Sequence, residues 1–375
     1  MRTAIVYDRV NKWGGAERVL LALHEIFPDA PLYTSVYSPQ KAPWAKVFPR
    51  VIPSFLQKLP VLHNHHELLG WLTPITYESF NFDGYDLVIS VTSEAAKGII
   101  TKPQTKHICY CLTPTRYLWS GYEQYLKDPP STLARIPFYK TISLPFLKYT
   151  KYWDKIAAQR PDVMIAISTV VKTRIKKYYD RDSETIFPPV ETDKFDIQDH
   201  KFEKKLNKFL PITDYYLIVS RLEPYKKVDL AIRTFNELGL SLVVIGIGSE
   251  ALKLKEMAGE TIIFKDFVGD DELPAYYQNA KGFIFPQEED FGIAAVEAQS
   301  SGCPVIAYSK GGALDTIVDG KTGLYFNSQD IENMTNAIKL FDKMKFDKNI
   351  LRKNAERFAK ERFKKEFLDI INKTV

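Results

Sequence analysis

Short apolar runs alternate with amphipathic segments along nearly the whole chain, and this alternation constrains the fold more than any other feature. The runs at Thr3–Tyr7, 86–91 and Lys106–Cys111 are typical, and a helical spacing of apolar residues begins at Ala16. Runs that are apolar on both faces belong to parallel strands covered by helices. The pattern therefore predicts an α/β fold built on parallel sheets.

The alternation breaks once, at Pro188-Pro189, and resumes near Tyr215. A proline pair continues neither a helix nor a central strand. The 375 residues also exceed the roughly 250–300 at which a single core stops growing. We therefore expect two Rossmann-like domains, at 1–188 (with an aromatic and basic insertion at about 115–155) and 189–350. The charged, periodic stretch 349–374 should form one or two closing helices, and residues 351–375 can pack back on the first domain.

Composition excludes several classes of protein. Hydrophobic residues make up 45% and charged residues 26%, which is ordinary for a globular protein and excludes a disordered chain. A net charge of +5 is too small for a nucleic-acid binder that works mainly through phosphate contacts. No run approaches the roughly 18–20 apolar residues of a membrane span. Cys109, Cys111 and Cys303 form no CxxC motif, which predicts reduced thiols in a cytoplasmic protein, with a metal pair as the minor alternative.

One segment is unusually rich in aromatic rings. Its aromatic residues are Tyr117, Trp119, Tyr122, Tyr125, Phe138, Tyr139, Phe146, Tyr149, Tyr152 and Trp153, and lysines and an arginine lie among them. Aromatic and basic side chains together suit a membrane–water boundary. The alternative is an insertion whose rings pack on the first domain, and the two interpretations are compatible.

Two short motifs combine a predicted strand end with groups suited to phosphate. Gly14-Gly15 opens the first helix, where glycine permits close backbone approach and helix N–H groups face an anion. Arg221 ends a strand and Lys226 opens a helix, and ligands of open α/β sheets bind beyond the carboxyl ends of strands. The two cations suggest a diphosphate. A plain turn and surface charge are the respective alternatives.

A third motif holds two glutamates eight residues apart. Glu289 is expected on a loop and Glu297 about one turn into a helix that starts after Gly292, so both can point into one crevice. Carboxylates accept hydrogen bonds from sugar hydroxyls. The N–H groups of Ile293 and Ala294 would face phosphate at the helix start.

Together these motifs resemble glycosyltransferase family 4, the retaining nucleotide-sugar glycosyltransferases of GT-B fold. The resemblance runs nearly end to end: Arg221 and Lys226 fall on the family's R-x-x-x-x-K pair, and Glu289 and Glu297 on its E-x7-E motif. Further matching residues are Gly14, Gly15, Ala16, Glu17, Gly311, Gly312, Asp319, Gly320 and Gly323. Pro114, Arg116, Tyr117 and Trp119 make the chain most similar to the bacterial O-antigen and exopolysaccharide mannosyltransferase-like subgroup.

The resemblance implies two facing Rossmann-like domains with an interdomain cleft and a donor site in the second domain. Arg221 and Lys226 would hold the diphosphate, and Glu289 would bind sugar hydroxyls. The remaining implied donor residues are Gly14, Gly15, Phe267, Val268, Phe291, Gly292, Ile293, Ala294 and Glu297, the last on the ribose. The implied acceptor-side residues are Glu17, Pro114, Arg116, Tyr117 and Trp119. The resemblance requires no metal and no cofactor beyond the nucleotide sugar.

One position departs from the subgroup pattern, since Leu112 replaces the histidine of its Tyr-x-His-Thr-Pro phrase. Leucine offers no hydrogen bond to a sugar. His107 is expected to be a packed strand histidine, and the group His63, His65 and His66 is expected to be a loop rather than a metal site. Asp180 and Asp182 have DxD spacing but are expected to lie on a solvated turn.

The expected function is transfer of a hexose, with mannose from GDP-mannose favoured, to a glycan or lipid-linked glycan in bacterial-type surface polysaccharide synthesis. A lipid-linked acceptor would place the protein at the cytoplasmic face of the membrane. The alternatives are a UDP-sugar donor, a sugar-nucleotide epimerase and a non-catalytic nucleotide-binding subunit. A NAD-dependent dehydrogenase is disfavoured because Gly246-x-Gly248 lacks the third glycine of the dinucleotide fingerprint.

Overall fold

The computed structural model describes residues 1–58, 72–127, 139–195 and 214–375. The chain divides into two compact units, one of Met1–Phe187 with Lys364–Val375 and one of Pro188–Phe363. Each unit is built on one sheet of parallel strands with helices between them. The predicted α/β class with two Rossmann-like domains is confirmed.

The first unit contains a sheet of seven described strands in the order β3-β2-β1-β4-β5-β6-β7. The strands are β1 (Thr3–Tyr7), β2 (Leu32–Thr34), β3 (Val51–Pro53), β4 (Leu87–Thr92), β5 (Lys106–Cys111), β6 (Val163–Ala166) and β7 (Glu184–Thr185). The helices are α1 (Gly15–Ile26), α2 (Thr73–Glu78), α3 (Tyr122–Lys127), α4 (Tyr139–Ala157) and α5 (Thr169–Tyr179). Strand β1 pairs with both β2 and β4, so the chain reverses its direction of sheet growth between β1 and β4.

The second unit contains a sheet of six described strands in the order β10-β9-β8-β11-β12-β13. The strands are β8 (Tyr216–Val219), β9 (Leu242–Ile245), β10 (Ile262–Lys265), β11 (Gly282–Phe285), β12 (Val305–Tyr308) and β13 (Gly323–Phe326). The helices are α6 (Thr192–Phe195), α7 (Val228–Leu238), α8 (Ala251–Met257), α9 (Leu273–Asn279), α10 (Ile293–Ser300), α11 (Ala313–Thr316), α12 (Ile331–Phe341), α13 (Lys348–Glu356) and α14 (Lys360–Thr374), whose last turns belong to the first unit. The reversal of sheet growth lies between β8 and β11.

Strand residues of the second unit alternate between two hydrophobic clusters, one on each face of the sheet. Leu217 packs in one cluster and its neighbours Tyr216 and Ile218 in the other. The same alternation holds along β11, where Phe283 and Phe285 lie on one face and Ile284 on the other. This two-residue period is why both faces of each central strand read as apolar in the sequence.

The structure differs from the sequence expectations in detail. Lys226 ends a short 3-10 turn, Pro224–Lys226, and the helix begins two residues later at Val228. The closing segment contains two helices, α13 and α14, which is one of the two arrangements that the sequence predicted. Within the described ranges, no helix combines the length and hydrophobicity needed to cross a bilayer.

Candidate functional site

The point where sheet growth reverses in the second unit collects the polar residues singled out by the sequence. The loop after β8 carries Arg221 and Lys226, and the loop after β11 carries Glu289. Adjacent parallel strands whose connections leave in opposite directions open a crevice at their carboxyl ends. The structure therefore brings the two loops to one edge of one sheet.

Lys226 and Glu289 form an ion pair between their Nζ and Oε1 atoms, with side chains 11% and 22% exposed. Gln287 Nε2 donates a second hydrogen bond of 3.1 Å to Glu289 Oε1. The resemblance assigned Lys226 to the diphosphate of a donor and Glu289 to its sugar, whereas the structure pairs the two side chains with each other. A pair that is mostly removed from water interacts more strongly than a surface pair.

Tyr225 connects the two cations of the first loop. Arg221 Nη2 donates a 2.7 Å hydrogen bond to Tyr225 Oη. Lys226 Nζ lies 5.2 Å from the centre of the Tyr225 ring, within cation–π range. Arg221 is otherwise exposed to solvent, so its guanidinium is available to an anionic ligand.

Glycines hold the Glu289 loop in place. Gly312 N donates to the Glu289 carbonyl oxygen at 2.8 Å, and a β-bridge joins Glu289 to Gly311. Gly311 has a φ of +70°, and a Cβ there would lie 2.2 Å from the Glu289 carbonyl oxygen. Only glycine fits this approach.

Helix α10 starts beside this loop. Its N-cap Gly292 has a φ of +96°, and no described side chain caps the helix start. The backbone N–H groups of the first turn, at Ile293 and Ala294, therefore lie near the carboxyl ends of the strands. Glu297 lies one turn further on, only 3% exposed, and accepts a 3.2 Å hydrogen bond from Tyr277. Phe291 is buried against Phe358, with ring centres 5.4 Å apart.

The residues expected at the base lie further along the same edge. Phe267 and Val268 follow β10, two strands away from β8. Phe267 is 83% exposed and Val268 is buried. A large exposed ring beyond a strand end offers a stacking surface for a flat aromatic ligand.

The acceptor-side residues lie in the first unit. Gly14 is the N-cap of α1, Gly15 is its first residue, and the carboxylate of buried Glu17 accepts a 2.8 Å hydrogen bond from Tyr7. Pro114 is buried, while Arg116 is exposed.

Asp154 of α4 anchors the loop that carries Trp119. Its Oδ2 accepts a 2.7 Å bond from Trp119 Nε1, and its Oδ1 accepts a 2.9 Å bond from Thr115. Lys97 completes a fully buried ion pair with Asp154 at 2.5 Å. This network, which the sequence did not predict, fixes the loop on the helix.

Sequence reasoning also missed Arg9 and Glu94, which follow β1 and β4 and pair with each other. They occupy the reversal point of the first sheet, as Arg221 and Glu289 border that of the second. The available signal was that each lies two residues beyond its strand and carries charge.

The remaining residues considered from the sequence as possible ligands are as follows in the structure. His107 is fully buried in β5 and shares a 2.8 Å hydrogen bond with Ser90, as expected for a packed histidine. Asp180 and Asp182 are highly exposed and pair with Lys176. Cys109, Cys111 and Cys303 are buried and form no disulfide bond among the described residues, which also contain no group of three potential metal ligands. His63, His65 and His66 lie outside the described residues.

The sequence and the fold were compared with known proteins. Residues 199–362 match the family Glycosyl transferases group 1. The chain is 30% identical over 199 residues to the GDP-mannose-dependent alpha-(1-6)-phosphatidylinositol monomannoside mannosyltransferase of Mycolicibacterium smegmatis, which covers 47% of this chain and 52% of that protein. It is 26% identical over 217 residues to the O-antigen chain mannosyltransferase RfbU of Salmonella typhimurium, covering 56% of this chain and 59% of that one. The chain thus spans just over half the length of these relatives.

The fold comparison extends over the whole chain. A crystal structure of Anabaena HepE in complex with UDP and glucose matches 99% of both chains with a TM-score of 0.71 at 17% identity. WaaG, a glycosyltransferase involved in lipopolysaccharide biosynthesis, matches 98% of this chain and 99% of its own with a TM-score of 0.62 at 15% identity. The chain therefore has the GT-B fold of these proteins, and its residues 199–362 carry the sequence signature of the glycosyl transferases group 1.

Proposed function

We propose that the protein is a retaining hexosyltransferase that moves mannose from GDP-mannose to a glycan or lipid-linked glycan in the synthesis of a bacterial-type surface polysaccharide. The cluster of Arg221, Lys226 and Glu289 at one strand-end edge carries the proposal, because it lies inside the segment with the family signature. The donor choice is supported by the mannosyltransferase relatives.

The proposed chemistry is electrostatic. As the bond from the sugar's anomeric carbon to the diphosphate breaks, negative charge develops on the departing oxygen, and Arg221, Lys226 and the α10 N–H groups offset it. The acceptor oxygen bonds to the same face of that carbon while its proton passes to the departing phosphate, so configuration is retained. Donor binding exchanges the Lys226–Glu289 pair for lysine–phosphate and glutamate–hydroxyl contacts. A chelator is expected to leave the rate unchanged.

A transfer assay with GDP-mannose and lipid-linked glycan acceptors tests the proposal. We expect Lys226→Ala to lower kcat by roughly 10²–10³, as for loss of one donor to a developing oxyanion. Lys253→Ala is the matched control, because Lys253 also pairs with a glutamate but lies on the surface of α8. NMR of the product should show an α linkage from the α-configured donor. Transfer at an undiminished rate by Lys226→Ala would contradict the proposed role.

A UDP-sugar is the second candidate donor. HepE, which shares the fold, was crystallised with UDP and glucose, and its low identity leaves the base unassigned for this chain. Thermal-shift screening with GDP, UDP and ADP separates the two, since a ligand at 100 times its Kd adds about 2.7 kcal/mol of apparent stability. A rise in melting temperature with UDP and none with GDP would show that the donor is a UDP-sugar and not GDP-mannose.

Two other functions predict different outcomes when the protein is given GDP-mannose. An epimerase would convert GDP-mannose to its epimer in the absence of any acceptor. A non-catalytic nucleotide-binding subunit would bind nucleotide without turnover, and Glu289→Ala would then leave polysaccharide synthesis intact. Incubation with donor alone, followed by sugar analysis, therefore identifies an epimerase. The transfer assay with an acceptor then separates a transferase from a non-catalytic subunit.

Peripheral contact with the cytoplasmic face of the membrane is part of the proposal. Along the outer side of α4, apolar side chains are exposed, namely Leu144, Phe146, Tyr149, Tyr152 and Ile156. Lys148, Lys151 and Lys155 lie between them. An apolar stripe bordered by lysines suits the surface of a bilayer with anionic lipids. Flotation with such vesicles tests the contact, and protein that stays in the unbound fraction would contradict it.

A further inference from the structure

The reversal point of the first sheet carries a second polar site, which the proposed function leaves unused. Arg9 lies two residues after β1, and Glu94 lies two residues after β4, the neighbouring strand. By the rule for open α/β sheets, this is where a ligand crevice opens. In the second unit the equivalent point holds the proposed donor residues, which makes the reversal point of the first sheet a candidate for a second ligand.

The site is preorganised by Asp8 rather than by the pair itself. The Asp8 carboxylate accepts hydrogen bonds from the backbone N–H groups of Glu94, Ala95 and Ala96 at 2.9–3.0 Å. It also accepts from Thr92 Oγ1 at 2.8 Å. These bonds already join the loop after β4 to the end of β1. The Arg9–Glu94 pair is therefore not needed to fix the loops.

The pair remains open to a ligand. The two side chains are 24% and 23% exposed. Within the described ranges, the guanidinium of Arg9 bonds only to Glu94 Oε1, which leaves donors on the arginine and an acceptor oxygen on the glutamate. A sugar hydroxyl both donates and accepts, so adjacent hydroxyls of one ring satisfy both groups.

The surrounding charge and rings favour a neutral sugar over a phosphate. Arg9, Lys12 and Lys97 lie within electrostatic range of Glu94. Lys97 pairs with Asp154, so three basic residues face the three acidic residues Asp8, Glu94 and Asp154, and their charges cancel. Tyr117 lies within electrostatic range of both members of the pair and packs on Tyr125 with ring centres 5.4 Å apart. An aromatic ring offers an apolar face to the C–H side of a pyranose.

We propose that Arg9 and Glu94 form an acceptor subsite that binds the hydroxyls of a neutral pyranose, with Tyr117 beside the ring. This inference rests on the proposed transferase function and names the part of the acceptor that the first unit recognises. Arg9 and Glu94 determine acceptor specificity and take no part in bond breaking.

Saturation-transfer NMR titrations with methyl α-D-mannopyranoside, methyl α-D-glucopyranoside and methyl α-D-galactopyranoside test the subsite. At least one glycoside should bind the wild type, inorganic phosphate should not displace it, and Glu94→Gln and Arg9→Lys should each weaken it roughly tenfold or more. The matched control is Glu78→Gln, because the Arg160–Glu78 pair has similar exposure, 26% and 30%, and Arg160 precedes its strand rather than following it.

Absence of glycoside binding, displacement by phosphate, or equal binding by all variants would overturn the subsite. A GDP thermal shift on the same samples keeps the two proposals apart. If GDP still binds and transfer proceeds, but the substitutions at Arg9 and Glu94 leave glycoside binding unchanged, only the subsite proposal is contradicted. If Glu94→Gln does not fold, Arg9→Lys, which keeps the charge and loses the planar fork, gives the same reading.

Discussion

At the residue scale, Lys226 is unusual because its side chain is largely removed from water beside Glu289. In the proposed donor complex the lysine would therefore meet the phosphate already desolvated, and the cost of removing its water would fall on folding rather than on binding. Arg221, by contrast, is exposed and held by Tyr225. The two cations of one motif are thus held differently: the Lys226 side chain is buried against Glu289, whereas the Arg221 side chain is exposed and bonded to Tyr225.

His107 gives a pH prediction at the same scale. Burial, with smaller contributions from Arg181 and Arg160, lowers its pKa to about 3. Because the unfolded state binds a proton near pH 6.5 and the folded state does not, the stability that His107 contributes is complete above pH 6.5 and is lost as the pH falls towards 3.

Urea unfolding of the wild type and His107→Gln at pH 7, 6 and 5 checks this. The variant should be less stable at pH 7 by about 1–3 kcal/mol, and the gap should narrow on acidification by up to about 1.4 kcal/mol per pH unit. A gap that stays constant from pH 7 to 5 would show that His107 titrates normally in the folded protein.

At the element scale, the loops that follow the central strands determine the site. Gly311 and Gly320 offer a matched pair, because both have a positive φ, +70° and +71°, and only Gly311 approaches the Glu289 loop. We expect either alanine variant to lose about 1–2 kcal/mol of stability from the backbone alone. Gly311→Ala should also displace Glu289 and weaken the GDP thermal shift, while Gly320→Ala should not. Equal shifts in both variants would count against the placement of Glu289.

Helix α4 gives a second prediction at this scale. We expect Tyr149→Ser together with Tyr152→Ser to reduce flotation with anionic vesicles, since burial of each ring contributes about 1.5–3 kcal/mol. The control is Leu252→Ser on α8, because Leu252 is 79% exposed but belongs to a helix of the second unit and not to α4. An equal loss in the control would mean that the effect is not specific to α4.

The sequence was sufficient for elements that are buried on both faces. Strands β5, β11 and β12 begin and end where their apolar runs do, because interior strands of a parallel sheet admit few polar residues. Strands β2 and β3 have three residues each and were missed, since three residues show no period. The Lys226–Glu289 pair, the Asp154 network and the Arg9–Glu94 pair join residues distant in the chain, so only the fold reveals them.

At the scale of the whole molecule, fold and sequence similarity cover different parts of the chain. The fold matches HepE over 99% of the chain, whereas the family signature covers residues 199–362 alone. A shared nucleotide-sugar donor would keep the second unit alike among relatives, and different acceptors would let the first unit vary. The proposed division of labour, with the donor on the second unit and the acceptor on the first, accounts for this contrast.

The central claim is that the strand-end edge of the second unit binds a nucleoside diphosphate through Lys226. Calorimetric titration of GDP into the wild type, Lys226→Ala and Lys253→Ala tests it most directly. We predict one binding site in the wild type, affinity at least tenfold weaker in Lys226→Ala, and no change in Lys253→Ala, as expected for loss of a charge-assisted phosphate contact. Binding of equal strength in all three proteins, or no nucleotide binding by the wild type, would contradict the claim.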